Sequence, residues 1–119
     1  MTALTNNNPV VYFEIGCKDL SKTANFYSDL FGWTPTGIPM ASLINTNTEE
    51  GIQGQITSLG HDPHNYVLFY IQVDDINEAL SKIIDAGGKK QVGPVILPNN
   101  KQFAWFTDPE GNLVGLVTR

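Results

Sequence analysis

Val11-Tyr12-Phe13-Glu14-Ile15 and Val67-Leu68-Phe69-Tyr70-Ile71 lie 56 positions apart and read alike. The same offset sets Asp19-Leu20 over Asp75-Ile76, Ala24 over Leu80, Tyr27 over Ile83 and Gly32 over Gly88. Each half therefore opens with an apolar strand, an Asp at a helix start, one amphipathic helix and a glycine stop. A period near half the chain length implies two like modules, with a pocket between them.

Composition sets the frame around that repeat. A chain of 119 residues suits one compact domain, or two half-size modules sharing a core. Hydrophobic residues make up 41% and charged residues 16%, which fits a globular chain rather than a disordered one. The net charge of −5 argues against nucleic-acid or anionic-membrane partners, since both want a basic face. Cys17 is the only cysteine, so neither an internal disulfide nor a thiolate cluster can form. The start is polar and Asn-rich, with no basic-then-apolar leader and no apolar run of membrane length. A cytoplasmic protein is expected, with residues 1–9 as a flexible tail ahead of a single domain over 10–119.

Within that domain the first module spans 10–59 and the second 66–119. In Val10 to Ile15, Val11, Phe13 and Ile15 share one face, and Val10, Tyr12 and Glu14 the other. Asp19 is a good N-cap for a helix from Leu20 to Phe31, with Ala24, Tyr27, Leu30 and Phe31 along one side and Gly32 as its stop. Short strands are expected near Trp33, over Met40 to Ile44 and over Ile52 to Thr57. In the second module Tyr66 to Val73 is the strongest strand. Val67, Phe69, Ile71 and Val73 should face its helix, and Leu68, Tyr70 and Gln72 should face away. Asp75 with Glu78 forms a capping-box-like pair; Ala79, Leu80, Ile83 and Ile84 supply the apolar side, and Gly87-Gly88 the end. Strands follow over Gln91 to Leu97, Lys101 to Thr107 and Leu113 to Thr118, the last two joined by the tight link Asp108-Pro109-Glu110-Gly111-Asn112. The expected architecture is α+β: two βαβββ modules forming a curved mixed sheet, with the helices outside and a trough inside.

Several stretches carry a family resemblance. They are Phe13-Glu14-Ile15 through Asp19-Leu20, Phe26-Tyr27-Ser28-Asp29-Leu30-Phe31-Gly32-Trp33, Val73-Asp74-Asp75-Ile76, and Phe106-Thr107-Asp108-Pro109-Glu110-Gly111-Asn112. Together they make the chain resemble the vicinal oxygen chelate superfamily, the glyoxalase, bleomycin-resistance and extradiol dioxygenase group. The resemblance spans nearly the whole domain and implies that superfamily's fold. It does not select one activity within it.

Enzymes of that superfamily hold a divalent metal in the trough, through His, Glu or Gln on the first and last strands of each module. A cation with open positions chelates two neighbouring substrate oxygens and stabilises the charge that develops there. Carried over residue by residue, the first-strand position falls on Tyr12 and its repeat partner on Leu68. The final-strand position falls on Gly115, and the remaining one on Gln53 or Gln55. Leu68 and Gly115 have no donor side chain. A phenol that titrates near ~10 makes Tyr12 a poor ligand at neutral pH. One neutral amide does not hold a catalytic ion, so the expectation is no metal and no other cofactor. His61 and His64, in His61-Asp62-Pro63-His64, have a spacing that grips zinc, but isolated pairs of this kind are usually solvated.

The trough-facing side chains then become the candidates: Tyr12, Glu14, Gln55, Tyr70, Gln72 and Trp105, an aromatic-and-amide lining suited to a small, flat or moderately polar ligand. Glu14 has two readings. It is either a base or hydrogen-bond acceptor for a ligand, or a carboxylate paired with a lysine or reaching water at a strand end. Ordinary core packing is the alternative for each of the others. Trp33 is expected to close the core and Cys17 to be a packed small residue. Two functions follow: a metal-free small-molecule-binding protein, or a metal-dependent lyase or dioxygenase of the glyoxalase type with displaced ligands. A homodimer is expected, because the Met40 to Ile44 and Val92 to Leu97 strands would otherwise leave apolar edges exposed.

Overall fold

A computed structural model describes residues 7–38, 41–59 and 64–119, with Ile38 by its backbone alone. Two compact units divide the chain: Tyr12–Leu68, and Phe69–Arg119 together with the residues before Tyr12.

The first unit holds most of β1 (Val10–Gly16), then α1 (Leu20–Phe31), β2 (Thr34–Ile38), β3 (Ala41–Asn45) and β4 (Gln53–Thr57). The strand order is β2-β3-β4-β1, with β1 parallel to β4 and the other pairs antiparallel. The helix begins where the sequence says. Asp19 is extended (φ −115°), and its carboxylate accepts the Lys22 N–H at 3.1 Å. Gly32 ends it at φ 72°, a left-handed conformation that a side chain would strain. The odd-numbered face of β1 supplies Phe13 and Ile15, which pack with Leu20, Ala24 and Tyr27 from the helix and with Ile44 and Ile56 from the sheet. Trp33 closes this core as expected, stacked on the Tyr27 ring at 5.2 Å and 8°.

The second unit repeats the plan with most of β5 (Tyr66–Val73), whose first three residues belong to the first unit, then α2 (Ile76–Asp85), β6 (Lys89–Ile96), β7 (Gln102–Thr107) and β8 (Leu113–Thr118). Its strand order is β5-β8-β7-β6, with β5 parallel to β8 and the other pairs antiparallel. Asp75 caps α2 by accepting the Glu78 N–H at 3.0 Å. Val73, Ile76, Ala79 and Leu80 pack with Ala104, Phe106, Val114 and Leu116 into a buried cluster. In the β7–β8 link, Asp108 Oδ1 accepts the N–H groups of Glu110 and Asn112, each at 2.9 Å, and Gly111 takes φ 86°. Arg119 reaches Asp74, Gln72 Oε1 (2.6 Å) and the Asn7 carbonyl (2.8 Å), while the Gln72 N–H donates to Pro9. Asn7 and Pro9, read from sequence as part of a loose tail, are thus tied down, Asn7 by Arg119 and Pro9 by β5. Residues 1–6 lie outside the described set. No described helix is long and apolar enough to cross a membrane.

Three expectations change. β3 is not an edge: β2 covers it on one side and β4 on the other, because the strand after Trp33 runs a full five residues. The expected start of β3 at Met40 lies outside the described residues. Leu30, Phe31 and Ile84, read as core-facing helix positions, are 61%, 60% and 54% exposed. A short helix over a four-stranded sheet buries only a narrow stripe, and these side chains fall at its margin. Val67 and Phe69 are likewise exposed, at 73% and 42%, whereas Ile71 and Val73 pack against α2.

Candidate functional site

Glu14 is the most deeply buried acidic side chain described, 3% exposed in the middle of β1. Strand alternation puts it on the face opposite Phe13 and Ile15, away from the helix-side core. A buried carboxylate needs donors. Gln55 supplies one, its Nε2 donating to Glu14 Oε1 at 2.5 Å. Tyr66 supplies the other, its hydroxyl donating to Glu14 Oε2 in a short bond. Gln55 can do this because the parallel register pairs Glu14 with Gln55.

The carboxylate leaves its mark on the neighbouring phenols. Tyr12, two residues along the same strand face, is pushed up to about 12, first by burial and then by the Glu14 charge. Tyr66 is raised further, by burial, by its hydrogen bond to Glu14 and by the Glu14 charge. Both phenols therefore stay protonated at neutral pH and act as neutral hydroxyls.

Register also decides between the two glutamines. Glu14 pairs with Gln55, and its repeat partner Tyr70 pairs with Gly115. Gln55 is thus the repeat equivalent of Gly115, while Gln53, opposite Tyr12, turns to the surface and bonds Thr46. At the four carried-over positions stand a phenol with a raised pKa, a buried leucine, a glycine and an amide already donating to Glu14. A side chain at Gly115 would collide with the Tyr70 ring, so that position cannot gain a donor without moving Tyr70. Among the described residues no three His, Cys, Asp or Glu side chains gather where a metal ion would sit. The His61–His64 pair falls partly outside the described residues, which include His64 alone.

The structure groups the remaining candidates differently. In the second unit the Trp105 indole donates to the Tyr70 hydroxyl at 2.8 Å, with Phe103 edge-on to the Tyr70 ring. Both Tyr70 and Trp105 are buried. Gln72 does not join them; its side chain is engaged by Arg119. Cys17 is buried with its Sγ 3.6 Å from the Thr57 carbonyl, the packed role expected of it. Sequence reasoning missed Tyr66. Its parity with Leu68, Tyr70 and Gln72 was the available signal, since 66 falls on the same strand face.

Known proteins resemble the chain along nearly its whole length. A family model described as Glyoxalase/Bleomycin resistance protein/Dioxygenase superfamily matches residues 10–116. A glyoxylase-like domain-containing protein of Didymella fabae is 33% identical, covering 89% of this chain and 90% of its own. The anthracycline biosynthesis protein DnrV of Streptomyces peucetius is 27% identical over 84% of this chain, which spans only 43% of that relative's length. Among solved structures, a glyoxalase/bleomycin resistance protein/dioxygenase superfamily member from Vibrio splendidus superposes with a TM-score of 0.64. It is 15% identical, and the match covers 95% of this chain and all of that one.

Proposed function

Since this chain belongs to the Glyoxalase/Bleomycin resistance protein/Dioxygenase superfamily, we propose that it binds a small molecule at the Glu14 cluster without a resident divalent metal. One observation carries the reading: the buried Glu14 carboxylate is dressed by an amide and a phenol. The resemblance sets Tyr12, Leu68, Gly115 and Gln55 at the superfamily's ligand positions. That donor set does not fit a divalent cation, which wants carboxylates and imidazoles. It does fit a neutral or weakly polar ligand whose hydroxyl or amine engages the carboxylate, with Tyr12, Gln55 and Tyr66 around it. Tyr70 and Trp105, hydrogen-bonded to each other in the second unit, are not part of the proposed site. Gln72, held by Arg119, is left out of the proposed site.

The test is metal content of the purified protein, joined to thermal melting with Ni, Zn, Mn and Fe. Substoichiometric metal and an unchanged midpoint are expected. A metal at about 100 times its Kd would add about 2.7 kcal/mol. For a chain of this size that is a rise of roughly 10 °C. Stoichiometric metal with such a rise would reject the proposal in favour of a lyase or dioxygenase with displaced ligands. Glu14→Gln keeps the shape but sets an NH2 against one of the two donors, so it should cost about 1–3 kcal/mol of stability and leave a folded protein that binds ligand about tenfold more weakly. Unchanged binding would remove Glu14 from the site.

A further inference from the structure

Tyr66 has two neighbourhoods. Its hydroxyl donates to Glu14, and its ring lies against the backbone of Gly16, where any side chain would collide with it. That ring is also one wall of an open cleft of about 370 Å³, lined by Ile15, Cys17, Thr23, Tyr27, Asn65 and Val67 as well as Gly16 and Tyr66. We propose that this cleft is a second small-molecule site, for a neutral compound the size of a substituted benzene ring, and that Tyr66 links its occupancy to Glu14.

Size and chemistry select the ligand class. A closed cavity of about 150 Å³ accepts benzene, and this open cleft has room for such a ring with a substituent. Ile15, Val67 and the tyrosine rings give the apolar surface that such a ring buries. Thr23, Tyr27 and Asn65 bring hydroxyl and amide groups to orient one polar substituent. Among the described residues the lining contains no Asp, Glu, Lys, Arg or His, so a charged ligand would lose its hydration without gaining a counter-ion from them. The site is distinct from the Glu14 cluster: Ile15 is on the face of β1 opposite Glu14, Cys17 follows the end of that strand in the same core, and Tyr66 alone is shared. A ligand against the Tyr66 ring shifts the hydroxyl at its far end, and with it the donor that Glu14 receives.

Benzyl alcohol is the probe, titrated into the full chain and followed by amide chemical shifts. Saturable shifts are expected at Gly16, Thr23, Asn65 and Val67, with a Kd of about 1 mM, the level a small fragment reaches. Smaller shifts should appear at Glu14 and in the Gln55 side-chain amide. Thr23→Phe fills the cleft from the first turn of α1, where Thr23 is half-buried, and should abolish all of them while the remaining spectrum stays native. Tyr66→Phe keeps the wall but removes the hydroxyl; it should keep the cleft shifts and erase those at Glu14 and Gln55. No saturation by about 20 mM, or shifts that survive Thr23→Phe, would overturn the site. Glu14 and Gln55 shifts that persist in Tyr66→Phe would overturn the link. Neither result bears on metal content, so this inference and the proposed function fail separately.

Discussion

At the scale of single residues the tyrosines around Glu14 give the sharpest test. Their folded-state pKa values lie above the free value, Tyr12 at about 12 and Tyr66 higher. A group whose pKa rises on folding adds stability that is complete below the unfolded pKa and is lost as pH climbs through the folded one. The window therefore opens near ~10, where free tyrosine ionises. Urea midpoints should match at about pH 7 and about pH 9, then fall at about pH 11. Tyr66→Phe removes a hydrogen bond to a charged group and should cost about 1–2 kcal/mol at neutral pH. It should also lose less on going to alkaline pH, because it has one fewer phenol to ionise. Equal alkaline losses in both proteins would show that Tyr66 is not held by Glu14. Little of this network was legible in the sequence. Alternation says which face Glu14 and Tyr66 occupy, but not which side chain on another strand each one meets. That depends on register, which apolar patterning specifies only to the nearest even step.

Elements were more legible than contacts, because their ends are written in local chemistry. Asp19 and Gly32 bracket a helix read as Leu20 to Phe31, and the structure places it over those residues. Asp75 does the same for α2. Replacing Asp75 by Ala should lower stability by about 1 kcal/mol, read from the denaturation midpoint, since the Glu78 N–H loses its acceptor. No change would mean that the cap contributes nothing. The β7–β8 link offers a pH test of opposite sign to the tyrosines. Bonds from the Asn112 side chain and backbone, then from Glu110 and Gly111, hold the Asp108 carboxyl below its ordinary value. A lowered pKa adds stability that is present above the unfolded value and lost as pH falls through the folded one. Asp108→Ala should thus be less stable than the parent at neutral pH, with the gap closing in acid. A gap that stays constant down to about pH 2 would refute the assignment. The weak reading was β2. Pro35 and Gly37 disfavour a strand, so its full length, and its cover over β3, did not show in propensity.

For the whole molecule, the duplication was visible at once. Both halves deliver the same order of strand, helix and three strands, with the same parallel pair in each. What periodicity overstated was burial. Phe26, Leu30 and Phe31 leave more than half of their side-chain surface on the outside of α1, and so dense an apolar cluster on a small chain marks a contact surface. The outer strands are poor candidates for self-association. β2 carries Pro35 and Gly37, and β6 carries Pro94 and two register shifts, devices that discourage strand addition. We propose that the chain forms a homodimer through the α1 surface rather than through the strand edges first suspected. The modest net charge of −5 opposes this little at physiological ionic strength. Sedimentation equilibrium at about 100 µM should report twice 13.1 kDa. Exchanging Phe26 and Leu30 together for Glu, both exposed and so tolerable to the fold, should return the monomer mass with an unchanged melting profile at low concentration. A monomeric parent under those conditions, or a dimer indifferent to the double exchange, would require Phe26, Leu30 and Phe31 to be explained another way.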